Sequence, residues 1–226
     1  MCGRFILGVV REELERLVDE YYGIPVVGTE IALPRYNVAP GQPVAAVVGD
    51  GERYRLGTLR WGFVPWFAKD EKSAYAMINA RAETILERPA YAQSMKTKRC
   101  VVLADGYYEW KKEGTSKIPY RIFLKDVALF AMAGLYSTWT RADGTKLHTC
   151  AIVTTAANEL TRPVHERMPA ILTREQEKIW LDRGNERVEE LAKLLIPFDP
   201  GAMDLHPVST RVNDAHSDDA GLIEQA

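Results

Sequence analysis

The chain opens "MCGRF", and Cys2 is the residue there with the most unusual chemistry. A small side chain at position 2 permits removal of the initiator methionine. Cys2 would then carry an α-amine and a thiol on adjacent carbons, a 1,2-aminothiol that no internal cysteine provides. An α-amine titrates near ~8 and a lysine near ~10.4, so the α-amine is usefully neutral near pH 7. Further candidates fall in "RYNVAPGQ", in "LRWGFVPWF" running on to "MINARAET", and in "ADGYYEW" and "VHERMP". Singly, each has an ordinary reading. Asn37 is a turn former in a proline-rich loop, and a tryptophan beside glycine is a packed core aromatic. His165 is a satisfied histidine between prolines, and Glu109 is an exposed strand-end charge paired with Lys111 or Lys112.

The elements that must position these residues are legible in outline. "REELERLVDEYY" sets Leu14, Leu17, Val18 and Tyr21 at i, i+3, i+4 and i+7, one apolar helix face. "EIALPRYNVAPGQPV" is rich in proline and reads as a loop. "VAAVV", "RYRLGTLRW", "RCVVLADGYYEW", "PYRIFLK", "ALFAMAGLYSTW" and "LHTCAIVTTAA" read as strands. Thr173 followed by Gln176 is a capping box opening a late helix, and "ERVEELAKLL" reads as a second. The polar tail, 213–226, is expected to be loosely held. Helices towards the ends and consecutive strands between them predict one α+β domain over 1–226, with mainly antiparallel sheets.

Composition narrows the class. The 226 residues are 46% hydrophobic and 27% charged, an ordinary globular balance. A net charge of −2 excludes a uniformly basic nucleic-acid binder, yet 29 Lys and Arg allow a local basic groove. Three cysteines and no secretory leader point to a reducing compartment, so a cytoplasmic protein is expected. Cys100 and Cys150 sit in apolar runs and read as small core hydrophobes. No apolar run is long enough to span a membrane. The spacing of His and Cys predicts no metal site, with His148, His206 and His216 lacking companions. No glycine-rich phosphate loop is present, and no cofactor is expected.

Taken in order, "MCGRF", "RYNVAP", "WGFVPW", "INARAET", "DGYYEWK" and "HERMP" resemble the SOS response-associated peptidase (SRAP) family. The resemblance runs from residue 1 to the "HPVS" at 206–209. It implies sheets forming a barrel-like core with flanking helices. It also implies a sensor of abasic sites in single-stranded DNA, acting as a monomer at the nucleoid. Such a sensor crosslinks covalently through its N-terminal cysteine, with associated lyase and self-processing peptidase activity. The ring-opened abasic aldehyde takes the amine to an imine, and the thiol closes on the imine carbon as a thiazolidine. That intramolecular closure gains from high effective molarity.

The same resemblance assigns roles by position. Cys2 is the nucleophile, and Glu109 the carboxylate that handles protons at the amine and imine. His165 is the acid at the sugar ring oxygen, and Asn79 the amide that holds the reacting groups. Arg4 and Arg81 would grip phosphates. Trp66, Phe67 or both would form an aromatic wedge. Asn37 and Pro40 lie in a loop brought near the cysteine, with a purely structural role for Pro40 equally open. Loss of Met1 by self-cleavage or by an aminopeptidase stays undecided at this level.

Two rival readings are set against this one. An N-terminal-nucleophile amidohydrolase also uses a leading Cys-Gly, but leaves "RYNVAP", "INARAET" and "HERMP" without a role. A noncatalytic damaged-DNA binding module would keep Trp66, Arg4 and Arg81 but leave Cys2 idle.

Overall fold

Strand segments that are apolar at every position must be covered on both faces, and the centre of this chain is built from such segments. The computed structural model describes residues 2–24 and 32–226; Met1 and 25–31, which include the first two residues of the expected loop, lie outside the described residues. Strands β1 (Arg4–Leu7), β2 (Arg35–Val38), β3 (Pro43–Gly49), β4 (Tyr54–Trp61) and β5 (Asn79–Arg81) come first. They are followed by β6 (Arg99–Ala104), β7 (Gly106–Glu113), β8 (Ser116–Leu124), β9 (Phe130–Thr140) and β10 (Lys146–Ala156). The last are β11 (Arg167–Pro169), β12 (Ile171–Leu172) and β13 (Met203–Pro207).

One sheet closes on itself. β10, β4, β3, β6 and β9 pair in that order, and β9 returns to β10, completing a barrel that is antiparallel except where β10 meets β4. β5 lies parallel to β10 and carries Asn79 and Arg81 onto its flank. A second, wholly antiparallel sheet runs β13-β8-β7-β1-β2.

The period-2 alternation of a strand divides the core. Val101 and Leu103 of β6 pack towards the helices, whereas Cys100, Val102 and Ala104 pack towards the second sheet with Cys2, Phe5 and Tyr107. The helices are α1 (Arg11–Tyr22), α2 (Pro89–Thr97), α3 (Arg174–Leu181) and α4 (Val188–Ala192). The α1 face is the expected one, except that Tyr22 is buried in place of Tyr21, whose ring lies under the Arg174 guanidinium. The Thr173–Gln176 capping box is formed in both directions. Among the described residues, no helix is long and apolar enough to cross a membrane.

Three local expectations are corrected. "RCVVLADGYYEW" is two strands in different sheets, broken at Asp105. Its carboxylate accepts the Gly8 N–H at 2.7 Å, and a Cβ on Gly106 would meet Ile6 Cδ1 at 2.9 Å. "RYNV" is strand β2 rather than loop, because β1 offers it an open edge. The tail is docked, not loose: Val212 and Leu222 are buried beside Ile6 and Tyr108, and Val208 bridges to Gln225.

Candidate active site

β1 and β7 bring the site together. Their register sets Phe5 opposite Tyr107 and Arg4 opposite Tyr108. Along β7, Tyr107 and Glu109 share one face, and Tyr108, Trp110 and Lys112 share the other. Cys2, just ahead of β1, is fully buried, as is Glu109 at 2% exposure. Burial pushes the Glu109 carboxyl up to about 7. Burial, then the negative charge of Glu109, pushes the Cys2 thiol up. The reading of Glu109 as an exposed charge is therefore overturned, and Lys111 pairs instead with Glu113 at 2.6 Å.

Asn79 enters from the barrel. β5 is held against β10 with Asn79 opposite Ile152, and the Tyr91 hydroxyl donates to the Asn79 carbonyl at 3.1 Å. So fixed, Asn79 donates from Nδ2 to the Cys2 carbonyl at 2.8 Å. Its Oδ1 and the Tyr107 hydroxyl are buried with no hydrogen-bond partner among the described residues.

His165 sits in the turn between β10 and β11. Asn158 Oδ1 accepts from Thr161 N–H at 2.9 Å, and His165 N–H donates to the Thr161 carbonyl at 3.0 Å. The Arg167 N–H donates to His165 Nδ1 at 3.0 Å, so the neutral ring carries its proton on Nε2. Burial lowers the His165 pKa. Arg167 is itself clamped by Glu83 at 2.6 and 2.9 Å.

An open cleft of about 540 Å³ is lined by Gly3, Arg4, Glu109, Trp110, Lys112, Lys117 and His165. Glu109, His165 and Arg4 thus meet in one cleft. Trp110, Lys112 and Lys117 were missed from sequence; the alternation through "YYEWKK" puts Trp110 and Lys112 on one face, and Lys117 joins them only through its register opposite Lys112. Among the described residues, no group of three or more His, Cys, Asp or Glu is placed to hold a metal.

The other expected residues fall in different places. Asn37 is wholly buried, and its Nδ2 donates to the carbonyls of Asp214 and Ser217 at 3.0 and 2.8 Å. Expected in a loop near the cysteine, it lies on β2 and fastens the tail. Pro40 is half-buried in the turn after β2. Arg4 gives Nη1 to Asn37 Oδ1 at 2.8 Å and to the Val212 carbonyl at 2.6 Å, and Nη2 to the Asn213 carbonyl at 3.2 Å. Three of its five donors are committed within the protein. Arg81 is exposed on β5, beside Glu83. Trp66 and Phe67 are 63% and 52% exposed, edge to face at 5.5 Å, in the loop between β4 and β5. That loop is pinned at its base by Val64 N–H on Thr149 Oγ1 at 2.9 Å.

Fold and site define a chain whose Cys2 is seated between a buried carboxyl and an anchoring amide. Residues 1–215 match the family described as SOS response associated peptidase (SRAP), and the chain belongs to it. It is 44% identical over 225 residues to the abasic site processing protein YoaM of Bacillus subtilis, covering 99% of this chain and 98% of that one. It is 32% identical over 229 residues to the abasic site processing protein YedK of Escherichia coli, covering 99% of each. A crystal structure of a protein from Bacteroides thetaiotaomicron superimposes with a TM-score of 0.83 at 30% identity, over the full length of both chains.

Proposed function

We propose that this protein processes abasic sites in single-stranded DNA, forming a covalent thiazolidine crosslink through Cys2 once Met1 is removed. The observation that carries the reading is the seating of Cys2: its carbonyl is held by Asn79, and Glu109 beside it is poised near neutrality. The names of the relatives supply the substrate class.

The neutral α-amine adds to the aldehyde carbon, giving a carbinolamine that loses water to an imine. The Cys2 sulfur then adds to the imine carbon, and its proton passes to the nitrogen. One water leaves overall. A carboxyl near 7 can both take the ammonium proton and return a proton to the departing hydroxyl. The raised thiol pKa keeps sulfur protonated until the imine forms, so the amine reacts first. His165, kept neutral with its proton on Nε2, donates a hydrogen bond to the sugar ring oxygen and so favours ring opening. Exposed Trp66 and Phe67 stack on bases flanking the lesion, with Arg81 on the backbone. Strand scission from the imine by β-elimination, and release of Met1 by the chain itself, belong to the same proposal.

Intact mass is the test. The purified protein should lack Met1, and mixing with an oligonucleotide bearing one abasic site should add the DNA mass less one water. Retained Met1 with no adduct and intact abasic DNA would sink the proposal. Release of ammonia from glutamine would point instead to the amidohydrolase.

A further inference from the structure

Lys112 and Lys117 stand directly opposite each other across the β7–β8 hairpin. Directly opposed residues of an antiparallel pair project from one face with Cβ atoms about 5 Å apart, and like charges so placed destabilise the sheet. Nothing in the hairpin neutralises them. The adjacent acid, Glu113, lies on the other face of β7 and is bound to Lys111 at 2.6 Å. Neither lysine side chain makes a hydrogen bond or ion pair among the described residues, and both are exposed. Both line the cleft that holds Glu109 and His165.

Several other cations are already engaged. Arg4 is held by Asn37 and the tail, and Arg167 by Glu83. Arg60 and Arg141 share Glu71. The cleft thus carries an uncompensated cationic pair at one rim, a few strand residues from the reacting carboxyl, in a protein of net charge −2.

We propose that Lys112 and Lys117 form a two-pronged site for the phosphodiester groups of the strand next to the abasic nucleotide. The proposal rests on the crosslinking reading. An ammonium is a point charge on a flexible stem, suited to backbone phosphates without regard to base. Two of them on one strand edge grip one or two successive phosphates and set the direction in which the strand leaves the cleft.

The test is the salt dependence of binding to an oligonucleotide carrying a tetrahydrofuran abasic analogue, which has no aldehyde and cannot crosslink. Each phosphate contact to a single strand contributes about 0.7 to the slope of log affinity against log salt. Lys112→Gln with Lys117→Gln should lower that slope by about 0.7 to 1.4 and weaken binding several-fold at low salt. Lys112→Arg with Lys117→Arg should restore most of the slope. Removing two facing charges should leave thermal stability equal or higher, so a loss of binding is not a loss of fold. An unchanged slope in the Gln variant, while the wild type binds the analogue and crosslinks abasic DNA, overturns this inference alone. A wild type that binds no single-stranded DNA overturns the parent reading as well.

Discussion

Asn79 spans 77 positions of sequence to hold the Cys2 carbonyl at 2.8 Å from its Nδ2. The bond ties the segment ahead of β1 to the barrel through β5, and in the proposed mature form it sets the direction in which the α-amine leaves Cys2. Asn79→Ala should slow adduct formation by about 10- to 100-fold, the cost of a small misplacement in a ring-forming step. Affinity for the tetrahydrofuran analogue should change far less. Single-turnover crosslinking beside equilibrium binding checks this; equal losses in both would make Asn79 a binding residue only.

The Glu109 carboxyl, lifted to about 7 by burial, sets two opposite pH trends. As a base it must be ionised, so the crosslinking rate should climb through pH 7 and again near ~8 as the α-amine loses its proton. Glu109→Gln should lose the lower limb and keep the upper. Stability runs the other way: the folded state keeps a proton that the unfolded chain releases near ~4.5, so folding weakens as pH rises from about 4.5 to 7. Denaturation of the wild type and Glu109→Gln across this window should show a difference growing to about 3 kcal/mol in favour of Gln.

The Tyr107 hydroxyl is buried and without a partner among the described residues. Tyr107→Phe removes that unsatisfied group while keeping the ring. It should raise stability by roughly 1 kcal/mol, seen as a Tm increase of about 2–4 °C for a domain of this size. A fall in Tm would show that the hydroxyl is satisfied by ordered water.

Asn37→Ala should act on folding, not on DNA. It strips Arg4 of a partner and leaves tail carbonyls unmet in a buried place. A loss of about 2–4 kcal/mol is expected by urea denaturation. The salt slope of DNA binding by the folded variant should match the wild type; a reduced slope would return Asn37 to the DNA interface.

Much of the frame was legible because it is periodic. The apolar face Leu14, Leu17, Val18 and the Thr173 cap depend on neighbours in sequence, and they appear as read. What escaped depends on distant partners. "RCVVLADGYYEW" looks like one strand because its break is enforced by Gly8 and Ile6 across the fold. The tail looked loose because polar text hides that its backbone carbonyls meet the Arg4 and Asn37 side chains and that its Asp218 carboxylate accepts the Asn37 N–H. The site residues were read through family likeness, and the structure gathers Cys2, Asn79, Glu109 and His165 around one end of β7. Lys112 and Lys117 carried no motif; their meaning comes from register, which a single sequence does not print.

The bond between Arg4 and Val212 also orders events in time. These residues are 208 positions apart. At roughly 5–20 residues per second, the ribosome makes Arg4 about 10–40 s before its partner exists. Through that interval the leading residues are outside any finished site, open to a trimming enzyme working on the nascent chain. Once the last segment emerges and docks, it fastens Arg4, and Cys2 just ahead of β1 lies buried. The closing strap therefore divides the life of the leading residues into a phase before they are buried and a phase after it.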